Sequence, residues 1–378
     1  VVSYLCVFKA WSRSKSSLAV IRVEELLLHM SNSKTLNPSE KCYLYAIECW
    51  ARSKRKGSEA RIEKLYGLLD QHLTDEISDT GVCGKIRQKA ALHLLQAYDK
   101  IGNAHRAEEI LLEFVEALQT HVEHPPPTIG MCFSVLSTWS KSQSSRRAYR
   151  AEKLLNLMES STAFPQPDTA CYTAVLKCIA GCRKQESGER AEALLSRMDG
   201  RKEVQSNVAS LTCVLLAWAR TEGSHAPINA ERIFQEILDR GMQPDRYVFA
   251  GLITAWGRSD DQNAIEKVEE YFRRLKSSEN CKPTVVEYTA VIQAHANHVS
   301  RNIDKSRESV HRTNALLNEM LISKDKKMHP NIRSYAAALK TIAAARRIPD
   351  RGEHAGKILR TMRKNGVEIS PYILNIIK

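Results

Sequence analysis

Residues 139–158 read WSKSQSSRRAYRAEKLLNLM, and two words in this stretch recur along the whole chain. The first is a tryptophan followed by a small residue, then Arg or Lys, then Ser or Thr. It appears as WSRS (11–14), WARS (50–53), WSKS (139–142), WART (218–221) and WGRS (256–259), which accounts for all five tryptophans. Neighbouring copies lie 39, 89, 79 and 38 residues apart, one or two periods of roughly 40. A period of that size marks a solenoid, in which each unit buries its apolar face against the next.

The second word keeps phase with the first. It reads RVEELLLHM (22–30), RIEKLYGLL (61–69), RAEEILLEF (106–114), RAEKLLNLM (150–158), RAEALLSRM (190–198), NAERIFQEI (229–237), KVEEYFRRL (267–275), RTNALLNEM (312–320) and HAGKILRTM (354–362). Apolar residues at its second, fifth, sixth and ninth places form a stripe that only an α-helix puts on one face. Its Ala, Glu, Leu, Lys, Arg and Met composition also favours helix. The tryptophan words close an earlier helix in each unit, as in FAGLITAWGR (249–258). Between units stands a proline and a small polar residue: Pro38-Ser39, Pro127-Thr128, Pro167-Asp168, Pro244-Asp245, Pro283-Thr284 and Pro330-Asn331. Proline cannot continue a helix, and the short polar residue suits the start of the next one. The chain is therefore expected to be all-α, with each unit reading helix, turn, helix, break.

Composition narrows the function. No stretch of about 18 apolar residues exists, so no membrane span is expected. Ten cysteines without a CxxC pair argue against a zinc site and point to a reducing compartment. Recurrence of Cys42 with Cys171, and of Cys6 with Cys213, at shared repeat positions suggests helix packing. Lys and Arg number 56 against 43 Asp and Glu, a formal net charge of +13, which suits a polyanionic partner. Enzyme chemistry finds no motif: there is no Walker loop, HExxH word or nucleophile elbow. Glu24, Glu63, Glu108, Glu152, Glu192, Glu231 and Glu269 recur one repeat apart and cannot converge on one atom; pairing with nearby Lys or Arg is expected. No cofactor and no metal are expected. The tryptophans share a helix face with Leu and Val, so packing is expected of them, not base stacking.

With a Tyr near the start of the first helix (Tyr4, Tyr172, Tyr288, Tyr335), the aromatic-small-basic close and the Pro-Asp style boundary, the chain resembles pentatricopeptide repeat proteins of the P type. Tetratricopeptide repeats fit less well, since their Trp falls early in the first helix. The resemblance implies a right-handed α-solenoid superhelix and covers nine units: 1–39, 40–87, 88–128, 129–168, 169–207, 208–245, 246–284, 285–331 and 332–370, with a truncated further unit at 371–378. One departure is systematic. Six units place 11 residues between the aromatic position and the second-helix word, and only the third has 8, so the interhelical turn is lengthened. Residues 74–85 and 297–311 read as additional loop. The chain begins and ends inside units, as a fragment would.

The resemblance further implies single-stranded RNA bound one base per unit, in a mitochondrion or plastid, for transcript processing, stabilisation or translation. Base reading would fall to the fifth and last residues of a unit: Thr173 with Asn207 (adenine), Thr212 with Asp245 (guanine), Ala250 with Thr284 (no clear base) and Thr289 with Asn331 (adenine), giving A-G-N-A. The first four units carry Leu5, Leu44, Leu92 and Phe133 at the fifth place, which cannot hydrogen-bond a base. Phosphate contacts would fall to the basic residue two places after the aromatic: Arg13, Arg52, Lys100, Lys141, Arg220 and Arg258. The helix dipole equally favours cations there. RNA-processing or ribosomal proteins are further expected partners. A structural part in an organellar ribosome and a protein–protein scaffold are the alternative functions. The catalytic nuclease domain of some relatives would lie outside this chain.

Overall fold

A computed structural model describes residues 2–33, 36–53, 55, 57–75, 80–120, 125–182, 184–299 and 302–377. Its helices run Val2–Arg13 (α1), Ala19–Ser31 (α2), Glu40–Arg52 (α3), Ser58–Asp75 (α4), Thr80–Ile101 (α5), Ala104–Thr120 (α6), Ile129–Lys141 (α7), Arg147–Ser160 (α8), Thr169–Gly181 (α9) and Ser187–Asp199 (α10). They continue as Val208–Arg220 (α11), Ala226–Asp239 (α12), Arg246–Gly257 (α13), Ala264–Ser277 (α14), Val285–Asn297 (α15), Ile303–Ile322 (α16), Ile332–Ala344 (α17), Arg351–Lys364 (α18) and Pro371–Ile377 (α19). No strand occurs among the described residues, so the fold is all-α.

Two compact units divide the chain, one ending at Cys178 and the other starting at Ile179, so the division falls inside α9. In the first, α1, α3, α5 and α7 pack successively on one another, and α2, α4 and α6 each pack on the first helix of the following hairpin. The second repeats this plan with α11, α13, α15, α17 and α19 in one row and α10, α12, α14 and α16 against it. This nearest-neighbour packing of hairpins is an α-solenoid.

Turn lengths follow the sequence spacing. Turns 14–18, 53–57 and 142–146 separate their helices, whereas α5 and α6 are joined by Gly102 and Asn103 alone. That short turn needs Gly102 at φ +79°, where an L side chain would be strained. Two expectations are corrected. Residues 80–85 are helical: α5 starts at Thr80 because Ile86 is buried and Arg87 Nε reaches Asp70 at 2.6 Å, anchoring an extra two turns. Residues 76–79 of that presumed loop lie outside the described residues. Likewise 303–311 are helix, since Asn302 caps Asp304 and Lys305, and Ser306, Ser309 and Val310 are buried; residues 300–301 lie outside the described residues.

Six of the seven recurrent glutamates, Glu24, Glu63, Glu108, Glu192, Glu231 and Glu269, reach forward to the next hairpin. Glu24 accepts from Trp50 Nε1 and Arg61 Nε, both at 2.7 Å. Glu63 accepts from Tyr98 Oη and from Arg106 Nη2 at 2.6 Å. Glu108 accepts from Trp139 Nε1 at 3.0 Å and Arg150 Nε at 2.9 Å. In the second unit Glu192 holds Trp218 Nε1 at 2.6 Å and Arg232. Glu269 meets His295 Nε2 at 2.9 Å and Arg312 Nη2 at 2.7 Å, with the histidine standing in the Trp place. At Glu231 the clasp changes hands: Lys267 Nζ (2.8 Å) and Tyr271 Oη take the carboxylate, and the buried Trp256 Nε1 has no partner. Since the residues it joins lie about one repeat apart, this clasp sets the register of one hairpin on the next.

Three of the five tryptophans are buried as expected, while Trp11 and Trp50 are half-buried. Trp139 is fully enclosed, and Trp218 and Trp256 are buried. Gly188 at the start of α10 lets Trp218 approach so closely that a Cβ there would fall 2.3 Å from the indole. Of the recurrent cysteines, Cys42 and Cys171 are buried, but Cys6 is exposed and packs nothing. All ten are free thiols.

Three outcomes follow from this packing. Glu108→Ala strands the buried Trp139 Nε1 and removes the partner of the half-buried Arg150, and is expected to lower stability by about 2 kcal/mol, and Gly188→Ala by roughly 1–3 kcal/mol through overpacking, both read by urea denaturation. Burial would raise the Glu269 pKa, but the hydrogen bonds from His295 and Arg312 outweigh it and hold the carboxyl at about 2. A depressed carboxylate adds stability that is complete above the unfolded-state pKa of about 4.3 and is lost as pH falls toward 2. Glu269→Gln should therefore flatten the stability–pH curve in that window; an unchanged slope would refute the assignment.

Candidate nucleic-acid interface

At six breaks the last residue, Thr128, Asp168, Asn207, Asp245, Thr284 or Asn331, caps the following first helix; Ser39 makes no such side-chain bond. Asn207 Oδ1 accepts from Ser210 N at 3.0 Å, and Ser210 Oγ accepts from Asn207 N at 2.8 Å, closing a capping box. Asn331 Oδ1 accepts from Arg333 N and Ser334 N at 2.9 and 3.1 Å. Asp245 Oδ1 accepts from Val248 N at 3.0 Å. Thr284 accepts from Val286 N while its hydroxyl donates to Glu287 Oε2 at 2.7 Å. Short polar residues hold this place because they satisfy the orphan N–H groups of a helix start.

Capping fixes which atoms remain. Asn207 and Asn331 spend their oxygens on the backbone and keep the Nδ2 amide as a donor. Asp245 keeps Oδ2 as an acceptor. Thr284 has its donor and one lone pair engaged.

Fifth-place threonines are tied to their own helices. Thr173, Thr212 and Thr289 donate to the carbonyls of Thr169, Val208 and Val285 at 2.7, 2.6 and 2.6 Å. Each hydroxyl proton is thereby committed, leaving oxygen lone pairs. Thr212 is the most enclosed, at 6% exposure; Thr173 and Thr289 are half-buried. Ala250 is also half-buried and has no polar atom to offer. The eighth pair is brought together: Thr289 Oγ1 lies 2.7 Å from Ser334 Oγ, which in turn lies 3.3 Å from Asn331 Oδ1. Thr173 belongs to the first compact unit and Asn207 to the second. In the first unit Leu44 is buried while Phe133 faces solvent.

A groove of about 590 Å³ runs over α13, α15, α17 and α19. Thr289 lies in it, with Gln293 and Asn297 on the same helix, and its cations are Arg258, Arg333 and Lys340. Two exposed apolar side chains, Tyr247 and Val286, stand at the second place of their first helices, three residues before Ala250 and Thr289. The sequence reading passed over them, although an apolar residue recurring on an otherwise wet helix start is a visible signal.

The basic row behaves differently from expectation. Arg52 Nη1 donates to Ser12 O at 2.5 Å, Lys100 Nζ to Ala51 O, and Arg220 Nη1 to Ala180 O at 2.6 Å. Each caps the end of the preceding first helix, and Asn297 does the same to Gly257 O at 2.8 Å without a charge. Lys141 pairs with Asp99 at 2.6 Å. Arg258 is loosely placed, 3.9 Å from an exposed Glu222, and Arg13 is exposed. Thus this row consists largely of inter-hairpin caps, favoured by the dipole of the helix they close. Among the described residues no cluster of three His, Cys, Asp or Glu side chains could hold a metal, and no helix is long and apolar enough to cross a membrane.

Residues 232–298 match the pentatricopeptide repeat domain family. A 65-residue segment, 17% of this chain, is 35% identical to the chloroplastic pentatricopeptide repeat-containing protein PPR5 of Zea mays and covers 13% of it. The whole chain superposes on the pentatricopeptide repeat protein PPR10 in complex with an 18-nt psaJ RNA element, with a TM-score of 0.69 at 18% identity. It superposes on PPR10 from maize with a TM-score of 0.63 at 17% identity. The chain spans 47% and 45% of those two structures, less than half of either. The two sequence words, the helical hairpins and the match over residues 232–298 agree in giving this chain the pentatricopeptide repeat fold.

Proposed function

We propose that this chain binds single-stranded RNA in the row formed by its first helices, one base per hairpin where a polar pair is present, as an organellar factor in transcript processing, stabilisation or translation. The observation that carries the reading is the Thr289–Ser334–Asn331 chain beside a groove with cations and no carboxylate. An unstacked base entering there meets an acceptor from Thr289 and a donor from the Asn331 amide, the pairing that an adenine edge requires. Asn207 offers the same amide donor. Asp245 offers an acceptor in its place, which suits the N1–H and N2–H₂ donors of guanine. Thr284, with no free donor and Ala250 as its companion, offers a single lone pair and so little with which to discriminate. The frame A-G-N-A thus has a physical origin in how each cap is spent.

Tyr247 and Val286 supply apolar surface on which neighbouring bases can stack. Arg258, Arg333 and Lys340 are the better phosphate partners; Arg52, Lys100 and Arg220 serve chiefly as caps, and Lys141 is paired. The resemblance of the fold to PPR10, which was crystallised with RNA, supports the same ligand class. A mitochondrial or plastid location and association with RNA-processing or ribosomal proteins complete the reading.

Random single-stranded RNA selection at near-physiological salt tests it. Enrichment of A-G-N-A is expected. Asn331→Asp should move the base opposite the eighth hairpin from adenine toward guanine, and Thr289→Ala should weaken binding of the selected sequence about tenfold. Salt-sensitive binding without any sequence preference would instead indicate a structural RNA clamp, and absence of binding a protein scaffold.

A further inference from the structure

A second cavity, of about 710 Å³, lies in the first compact unit and is lined by residues that follow α1 and α3. Arg13, Lys15, Arg52 and Arg55 line it, together with Ser12, Ser14, Ser16, Ser17 and Ser53, and no carboxylate does. Two of the cations are held in place. Arg52 Nη1 donates to Ser12 O at 2.5 Å and Arg55 Nη2 to Ser17 O at 3.2 Å, so both guanidinium groups are fixed across the gap with further N–H groups to spare. Arg13 and Lys15 are exposed and, unlike Lys141 and Arg240, have no acidic partner among the described residues.

Hydroxyls add donors. Ser14 Oγ and Ser16 Oγ each accept a backbone N–H, from Ser16 at 3.1 Å and Leu18 at 3.2 Å, which leaves their protons free to donate. Ser53 Oγ is buried beside the cavity with no hydrogen-bond partner. The first turn of α2, which has no side-chain cap, contributes Ala19 and Val20 to the wall. Four cations, surplus hydroxyl donors and a lining without carboxylates leave a concentrated positive charge unneutralised.

We infer that this inter-turn cavity is a binding site for a multiply charged phosphoryl group of about diphosphate size. Guanidinium forks match tetrahedral phosphate oxygens bidentately. A singly charged carboxylate would neutralise only one of the four cations. This site arises from the three residues by which the turn exceeds that of the third hairpin, where Gly102 and Asn103 leave no room for it. It does not depend on base reading, because none of the base-reading residues lines it, although Arg13 and Arg52 also belong to the expected phosphate row.

Isothermal titration of the full chain with inorganic pyrophosphate tests the site. Saturable binding is expected, weakened at least about tenfold in the double variant Arg13→Ser/Lys15→Ser. Lys15→Ser alone, on an exposed turn, serves if circular dichroism shows that the double variant has lost helix. Thr289→Ala/Asn331→Ala should leave pyrophosphate binding unchanged, so loss of RNA recognition and loss of this site are read separately. Displacement of pyrophosphate by a single-stranded oligonucleotide would assign the phosphoryl group to RNA, more strongly if a 5′-phosphorylated strand outcompetes a 5′-hydroxyl one. Displacement only by a nucleoside diphosphate would assign it to a free ligand. Failure of pyrophosphate to bind, or equal binding by the variants, would overturn the inference.

Discussion

A carboxylate that reaches forward holds this molecule together. In hairpin after hairpin a glutamate from the second helix accepts from an aromatic N–H or O–H and from an arginine of the next unit, 26 to 43 residues on. Apolar stacking alone would tolerate sliding between hairpins, because leucine and valine make non-directional contacts. The shared carboxylate does not, since it must satisfy donors from two helices at once. Within each compact unit, the register of the hairpins so joined follows from this bond. His295 and Tyr98 show that the donor matters more than the ring: either replaces tryptophan while keeping the carboxylate engaged.

The same logic governs the helix ends. One hairpin's arginine, lysine or asparagine closes the preceding first helix by donating to its last exposed carbonyls. At four junctions, α1 with α3, α3 with α5, α9 with α11 and α13 with α15, hairpins are therefore joined twice, once by the glutamate clasp and once by this cap. The basic row has a structural duty first, and its surplus charge is what remains for a ligand.

Much of this was legible in the sequence. The tryptophan word and the Ala/Leu/Met word placed the helices and predicted that the tryptophans pack, and Pro-Asn, Pro-Asp and Pro-Thr marked where first helices begin. Other parts were hidden for identifiable reasons. Gly81 and Gly84 suggested loop where α5 is helical, because the burial of Ile86 and the Arg87–Asp70 pair outweigh local propensity. Asn302 lay within a polar run that masked its role as a cap. The partners of the glutamates could not be read, since pairs on one helix and pairs between hairpins leave the same periodic trace. Nor could the inter-turn cavity: spacing revealed that the turns are long, while which charges they bring face to face depends on how two turns stack.

On the proposed reading, Asn207, Asp245 and Asn331 both start a helix and face a base, which constrains how such an array changes over generations. Residues that start helices well form a small set, chiefly Asn, Asp, Ser and Thr. Exchange within that set leaves the helix start nearly as stable while replacing a donor with an acceptor on the free side of the cap. Recognition can then drift by single substitutions without passing through a misfolded ancestor. A residue outside the set would lose both properties together, so the fold itself filters which new specificities a lineage can try.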